Sequence, residues 1–213
     1  APYYIKSSPQ GILRHLWNGL DKGPGIIYSI SGRTAVQIPL EVLRQLSNHP
    51  NFLGVKECDG QERIKQLADW GIKVWSGNDD TLPNDVHSYG AFGAITVAGD
   101  IDPEVVQTII EGRASRAALV RHLTISDIIF PVGEVNPAGI HNAIEMIRRA
   151  INEGNYPAVF RDVVGPFSSK RQEWVECSLK SIGIKARVFG VNYKVFDDDS
   201  LISQDYRIPK FEK

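Results

Sequence analysis

The sequence predicts an α/β fold, a parallel sheet whose strands alternate with helices, followed by a helical region and an extended tail. Three observations carry this reading. Short apolar runs alternate with amphipathic stretches of helical period through the first hundred residues, and strands joined by helices form parallel, right-handed βαβ units. After residue 102 the strand-like runs stop and longer helical patterns take over. Residues 187–213 carry scattered aromatics and the run Asp197-Asp198-Asp199 with neither period. The expected divisions are therefore 1–100 for the strand–helix units, 101–186 for the helical region and 187–213 for the tail.

The elements follow in order. Ser8-Pro9 reads as an N-cap with proline at the first helical position, and Ile12, Leu13, Leu16, Trp17 and Leu20 then recur at helical spacing. Gly23-Pro24 breaks that pattern. Residues 25–30 form the first strand, and Pro39 opens a helix with Val42, Leu43 and Leu46 on one face. Residues 52–56 are a second strand, 61–69 a helix with Ile64 and Leu67 inward, and 72–75 a third strand. A weaker helix is expected over 81–89 and a fourth strand over 94–97. Helices are then expected near 103–111, 114–129, 137–153 and 168–182.

Composition removes several function classes. The formal net charge is −1 and the pI is near 6.6, without the basic excess of a nucleic-acid binder. No apolar run approaches the roughly 20 residues of a membrane helix. Cys58 and Cys177 lie far apart and form no CxxC, and the five histidines (His15, His49, His87, His122, His141) show no metal-binding spacing. No metal site is expected. Two cysteines imply no disulfide framework and fit a reducing compartment. Trp17, Trp70, Trp75 and Trp174 read as packing residues.

Chemistry is expected at the C-terminal ends of the strands, where parallel α/β barrels place their sites. Tyr28 falls at the first such end, Arg33 follows in the Ser31-Gly32-Arg33-Thr34 loop, and Lys56 ends the second strand. A lysine in an apolar strand needs an explanation, because burying an ammonium is costly. One is an ion pair with Glu57 or another nearby acid. The other is an amine with a lowered pKa, desolvated and close to a cation, that attacks a ketone and forms an imine. Arg33 would be that cation or a bidentate anchor for a substrate carboxylate, and Tyr28 a proton relay. Cys58 reads as a small buried residue rather than a nucleophile.

These residues carry a resemblance. Residues 25–34 resemble the YNVPxRTG stretch of the dihydrodipicolinate synthase family, and Gly54-Val55-Lys56-Glu57 matches its GxKE lysine motif at the expected distance. Pro2-Tyr3-Tyr4 with Ser8-Pro9-Gln10-Gly11 is similar to its PYY and SQEG segment. Trp75-Ser76-Gly77-Asn78-Asp79-Asp80 is similar to its SGxDD loop in a plant-like form. Gly93-Ala94-Ile95-Thr96-Val97 resembles GVISV, and Glu134-Val135-Asn136-Pro137 resembles EPNP. The six landmarks fall in order between residues 2 and 183.

The resemblance implies the C-terminal half of a (β/α)8 TIM barrel and a class I aldolase-like lyase of lysine biosynthesis. Pyruvate would form a Schiff base with Lys56, and its enamine would add to aspartate semialdehyde. Tyr28 is then the relay tyrosine, Arg33 binds substrate, and the backbone at Ile95 and Gly77 lines the pyruvate pocket. No cofactor is implied, because the lysine imine is the electron sink. A plastid stroma is implied by the plant-like motifs, with the cytoplasm as the other location. The implied assembly is a homo-oligomer, or a complementary chain that covers the open barrel edges.

The resemblance has departures. A whole barrel takes about 250 residues, and the family's front strands, threonine-rich loop and second relay tyrosine have no counterpart here. Ser29, Ile30 and Ser31 replace Asn-Val-Pro, Ala35 replaces a glycine, Val135 a proline, and Ala138-Gly139 replaces Ile-Pro. Four strands do not close a barrel, and open edges invite aggregation. Hence the chain alone is expected to be inactive without a front half. The alternative is a catalytically idle structural subunit of a larger assembly. Within the enzyme class, the runner-up is a sibling pyruvate lyase of the N-acetylneuraminate lyase kind.

Overall fold

The computed structural model describes residues 1–3, 5–130, 139–140, 143–144, 146–147 and 169–184. Tyr4, the EPNP-like segment 134–137, most of the expected 137–153 helix and the 187–213 tail lie outside the described residues. The chain divides into two compact units, Ala1–Ser126 and Asp127–Lys213.

The first unit opens with helix α1 (Pro9–Leu20), where the Ser8 hydroxyl accepts from the Gly11 amide at 3.2 Å. That is the expected cap, and Pro9 at the first position loses no helical hydrogen bond. The other helices of this unit are α2 (Ser31–Thr34), α3 (Leu40–Leu46), α4 (Gln61–Asp69), α5 (Leu82–His87) and α6 (Pro103–Ile110). Helix α7 (Arg116–Ile129) ends just beyond it. The strands are β1 (Gly25–Ser29), β2 (Phe52–Glu57), β3 (Val74–Ser76) and β4 (Gly93–Ala94), all parallel, in the order β1-β2-β3-β4. This is the expected half-barrel arrangement, each strand followed by a helix.

One face of the sheet is sealed by helices. Ile27 of β1, Val55 of β2 and Val74 of β3 pack with Ile12, Leu43, Leu46, Ile64 and Leu67 in a single core cluster. The other face carries the row Tyr28, Lys56, Trp75 and Gly93, which are register partners across all four strands. This second face is open: Ile26 and Tyr28 are 38% and 46% exposed. The Trp75 ring lies over it, edge to Phe92 with centroids 5.5 Å apart.

Glycine is required under that ring. Gly54 has φ +146, and a β-carbon there would overlap the Lys73 carbonyl oxygen and come 2.6 Å from Trp75 Cζ3.

Several element bounds differ from expectation by a residue or more, and three differences have a visible cause. β3 begins at Val74, because Ile72 donates back to Leu67 O at 3.0 Å in the turn after α4. β4 ends at Ala94: Ile95 still donates to Ser76 O at 2.9 Å, but the Asp79 carboxylate then takes the amides of Val97 (3.1 Å) and Ala98 (3.0 Å). Those bonds turn the chain into a 3₁₀ helix, Ala98–Asp100. The Ser31–Thr34 segment, read as a loop, is one helical turn.

In α6 the cap is Asp102, whose side chain accepts from Val105 N at 3.1 Å and also pairs with Arg121 of α7. In the second unit, residues 139–140, 143–144 and 146–147 are helical. Helix α8 (Ser169–Ser181) buries Val175 and Leu179, one turn apart. No helix among the described residues is long and apolar enough to cross a membrane.

Candidate active site

Lys56 and Tyr28 sit side by side at the C-terminal ends of β2 and β1. Their Cα positions are register partners, and Lys56 Nζ lies 4.3 Å from the Tyr28 ring centroid. Lys56 is half-buried, and among the described residues it has no salt bridge. The ion pair with Glu57 is corrected by the structure. Neighbouring strand residues face opposite sides, so Glu57 points into the helix layer and is fully buried. There its Oε2 accepts from Arg63 Nε at 3.1 Å and its Oε1 from the Asp59 amide at 2.7 Å.

Burial raises the Glu57 carboxyl above its ordinary value, opposed by the Arg63 guanidinium and the Asp59 amide. The Tyr28 hydroxyl is also raised, mainly by burial and by Cys58, with Arg33 pulling the other way. Arg33 is exposed, on turn α2, which follows directly from the end of β1. The Ile95 side chain is 40% exposed, just beyond β4. Gly77 sits against the lysine arm: a β-carbon there would overlap Cys58 Sγ and come 2.7 Å from Lys56 Cε. A glycine at 77 therefore leaves the space through which Lys56 extends.

Burial pushes the Cys58 thiol up to about 11, with the Lys56 ammonium opposing. Its thiolate fraction at pH 8 is then on the order of one in a thousand. Iodoacetamide at pH 8 is expected to alkylate the exposed Cys177 while sparing Cys58. The Cys58 rate should keep climbing about tenfold per pH unit up to its pKa. Peptide mass spectrometry reads both; equal labelling at pH 8 would contradict the half-buried, neutral thiol.

Several residues around the site were given no role by the sequence. Asp79, 1% exposed, ties the loop after β3 to the segment after β4 through its two amide contacts. His122 Nε2 contacts the Asp79 carbonyl oxygen at 2.6 Å, so that nitrogen is the donor, and its buried Nδ1 has no partner among the described residues. Asp85 is fully buried and accepts from Ser76 Oγ (2.5 Å), Thr81 Oγ1 (2.9 Å) and Gln61 Nε2 (2.7 Å). Asp59 accepts from Ser29 and Ser31. Each joins loops that are far apart in sequence; Asp79 lies in the SGxDD-like stretch, but its partners at Val97 and Ala98 are set by the fold.

Of the tryptophans in the first unit, Trp17 packs edge-on to His49 (4.7 Å) and Arg44 stacks over Trp70 (5.4 Å). His49 is a structural histidine. Its Nδ1 accepts from the Asn51 amide, leaving Nε2 to face Asp21 at 3.1 Å.

Known proteins resemble this chain in sequence and fold. A plant enzyme of Arabidopsis thaliana, 4-hydroxy-tetrahydrodipicolinate synthase 1, chloroplastic, is 38% identical over 94% of this chain and 53% of its own length. The wheat (Triticum aestivum) 4-hydroxy-tetrahydrodipicolinate synthase 2, chloroplastic, is 36% identical over 94% of the chain and 51% of its own. This chain thus spans about half the length of these curated relatives.

Among solved structures, the chloride-inhibited dihydrodipicolinate synthase of Acinetobacter baumannii, complexed with pyruvate, superposes with a TM-score of 0.72 at 26% identity. That match covers 86% of this chain and 64% of the other. Another dihydrodipicolinate synthase gives 0.74 at 26% identity, covering 85% and 64%. The family model for the dihydrodipicolinate synthetase family matches residues 1–182, and the chain belongs to that family.

Proposed function

We propose that this chain carries the imine-forming half of a synthase that condenses pyruvate with aspartate semialdehyde in lysine biosynthesis. The observation that carries the reading is the pairing of Lys56 with Tyr28 at adjacent strand ends, with Nζ over the ring and no salt bridge to Lys56 among the described residues. An amine so placed is open to attack a ketone, and the phenol beside it can move the protons that attack requires.

In this reading the neutral Lys56 amine adds to the ketone carbon of pyruvate. Tyr28 returns a proton to the new hydroxyl, which leaves as water, and the imine forms. Loss of a methyl proton gives the enamine, whose carbon bonds to the aldehyde carbon of aspartate semialdehyde. The second substrate's own amine then displaces Lys56 and closes the ring. Arg33 holds a substrate carboxylate, Gly77 leaves room for the lysine arm, and the backbone at Ile95 walls the pyruvate pocket. The lysine imine is the electron sink, so no cofactor is called for.

Assembly with a further copy or a complementary chain belongs to this reading, and the names of the plant relatives support a plastid setting. A second reading is a catalytically idle subunit, favoured by the open face on which Tyr28 stays 46% exposed.

Borohydride trapping with pyruvate separates the two. The synthase reading expects a pyruvyl adduct on the Lys56 peptide, none with Lys56→Arg, and adduct formation slowed roughly a hundredfold with Tyr28→Phe. Folded protein that yields no adduct sinks the synthase reading and leaves the idle subunit.

A further inference from the structure

Turn α2 carries Arg33, yet the amide and hydroxyl of its first residue are held from outside the turn. Ser31 is the N-terminal residue of the turn, preceded by Ile30, whose side chain gives no cap. The Ser31 amide donates instead to Asp59 Oδ1 at 2.6 Å, and the Ser31 hydroxyl donates to the same oxygen at 2.8 Å. The other oxygen, Oδ2, accepts from the Ser29 hydroxyl at 2.9 Å. One carboxylate on the loop after β2 therefore grips both ends of the β1–α2 junction. Charge-assisted bonds of this kind are roughly twice as strong as neutral ones.

Asp59 is itself fixed: its amide donates to Glu57 Oε1, and Glu57 is held by Arg63. The far end of the turn closes with the Ala35 amide donating to Ser31 O at 2.8 Å. Ser31 is thus the point through which the turn is anchored to the sheet.

We propose that Asp59 is a positioning residue of this site, pinning Ser29 and Ser31 and, through the turn that Ser31 starts, aiming Arg33 at a substrate carboxylate. The proposal rests on reading Arg33 as the carboxylate anchor. It accounts for the departure at Ser31. Proline suits the first position of a helical turn because its φ is preset and its missing N–H is not needed there. Serine has no preset φ, but it offers an N–H and an O–H, and Asp59 accepts both.

Two chemical solutions to one mechanical problem give a sharp test. The unsubstituted chain, Asp59→Ala, Asp59→Asn and the double variant Asp59→Ala with Ser31→Pro are each modified with phenylglyoxal. Labelling of Arg33 is followed by peptide mass spectrometry, with succinic semialdehyde as the carboxylate probe and near-UV circular dichroism as the check on folding. In the unsubstituted chain the probe is expected to protect Arg33. Asp59→Ala should raise the half-protecting concentration roughly tenfold or more, since small misplacements of a clamp are costly. Asp59→Asn, which keeps an acceptor oxygen, should raise it less. The added proline should bring it back to within about twofold of the starting value, because it presets the turn without an acceptor.

Equal protection in folded Asp59→Ala or Asp59→Asn overturns the proposal. So does a loss that the proline leaves unrepaired, which would mark Asp59 as a general stabilising residue. Absence of protection in the unsubstituted chain overturns it as well. Pyruvate trapping on Lys56 is scored in the same samples. Failure of that adduct defeats the synthase reading on its own and is distinguishable from any change at Arg33.

Discussion

Arg63→Met is expected to lower the folding stability of the first unit by about 3–5 kcal/mol, the usual cost of leaving a buried charge without its partner. The methionine keeps most of the apolar stem, so the loss isolates the guanidinium. That group serves two acceptors: Glu57 Oε2 at 3.1 Å and the Ile38 carbonyl oxygen at 2.8 Å. Glu57 is fully buried, and its carboxyl is already raised by desolvation with Arg63 as the chief opposing charge.

The pH dependence has a definite sign. A carboxyl whose folded pKa lies above its unfolded value favours folding fully only below the unfolded value, and that contribution is lost as pH rises through the folded one. Removing Arg63 raises the folded value further. The gap between Arg63→Met and the unsubstituted chain should therefore be smallest below the ordinary value of 4.5 and widen as pH climbs toward neutrality. Urea denaturation at several pH values measures it; a gap that is flat with pH would mean that Glu57 is not the charge being compensated.

Gly54→Ala is expected to cost about 2–5 kcal/mol, combining backbone strain at a position with φ +146 and overpacking against rigid neighbours. The added methyl would meet the Lys73 carbonyl oxygen, the very acceptor that the Val55 amide uses at 2.9 Å to join β2 to β3. It would also press on the Trp75 ring. The damage falls two residues from Lys56, so the variant should lose both denaturant stability and the rate of pyruvate trapping. Gly60 offers the control: its φ is also positive, at +130, but a β-carbon there meets nothing within 4 Å. Gly60→Ala should show the strain alone and lose less. Equal losses for the two would mean that the contact with β3 is unimportant.

The repeating units were readable because two periods are written into the chain. Val42, Leu43 and Leu46 recur as a helix face and are all buried, and the strand that ends in Lys56 stands out as a short apolar run. The same strand period held an answer that composition alone obscured. Lys56 and Glu57 are adjacent, so a strand sends them to opposite faces, and the ion pair between them that the sequence left open is the explanation this period disfavours.

Other features had no local signature. β4 is short because Asp79, 18 residues upstream of Val97, captures the amides that would otherwise continue the ladder. The turn carrying Arg33 is four residues long, too short for a helical period to show. Asp59 finds its acceptor role 28 and 30 residues away, across two strand ends. What the sequence conceals is the polar bonding between loops, where partners are chosen by the fold.

Ala35 ends the turn in a left-handed conformation, φ 58 and ψ 10, the sole positive-φ residue other than glycine among the described residues. An alanine pays roughly 1 kcal/mol there that a glycine would not. Local preference would discard this shape, yet the shape stands, at the position where the family motif that these residues resemble has a glycine. The bend is held by the bonds around it, with the Ala35 amide on Ser31 O, and not by the preference of the residue at its end.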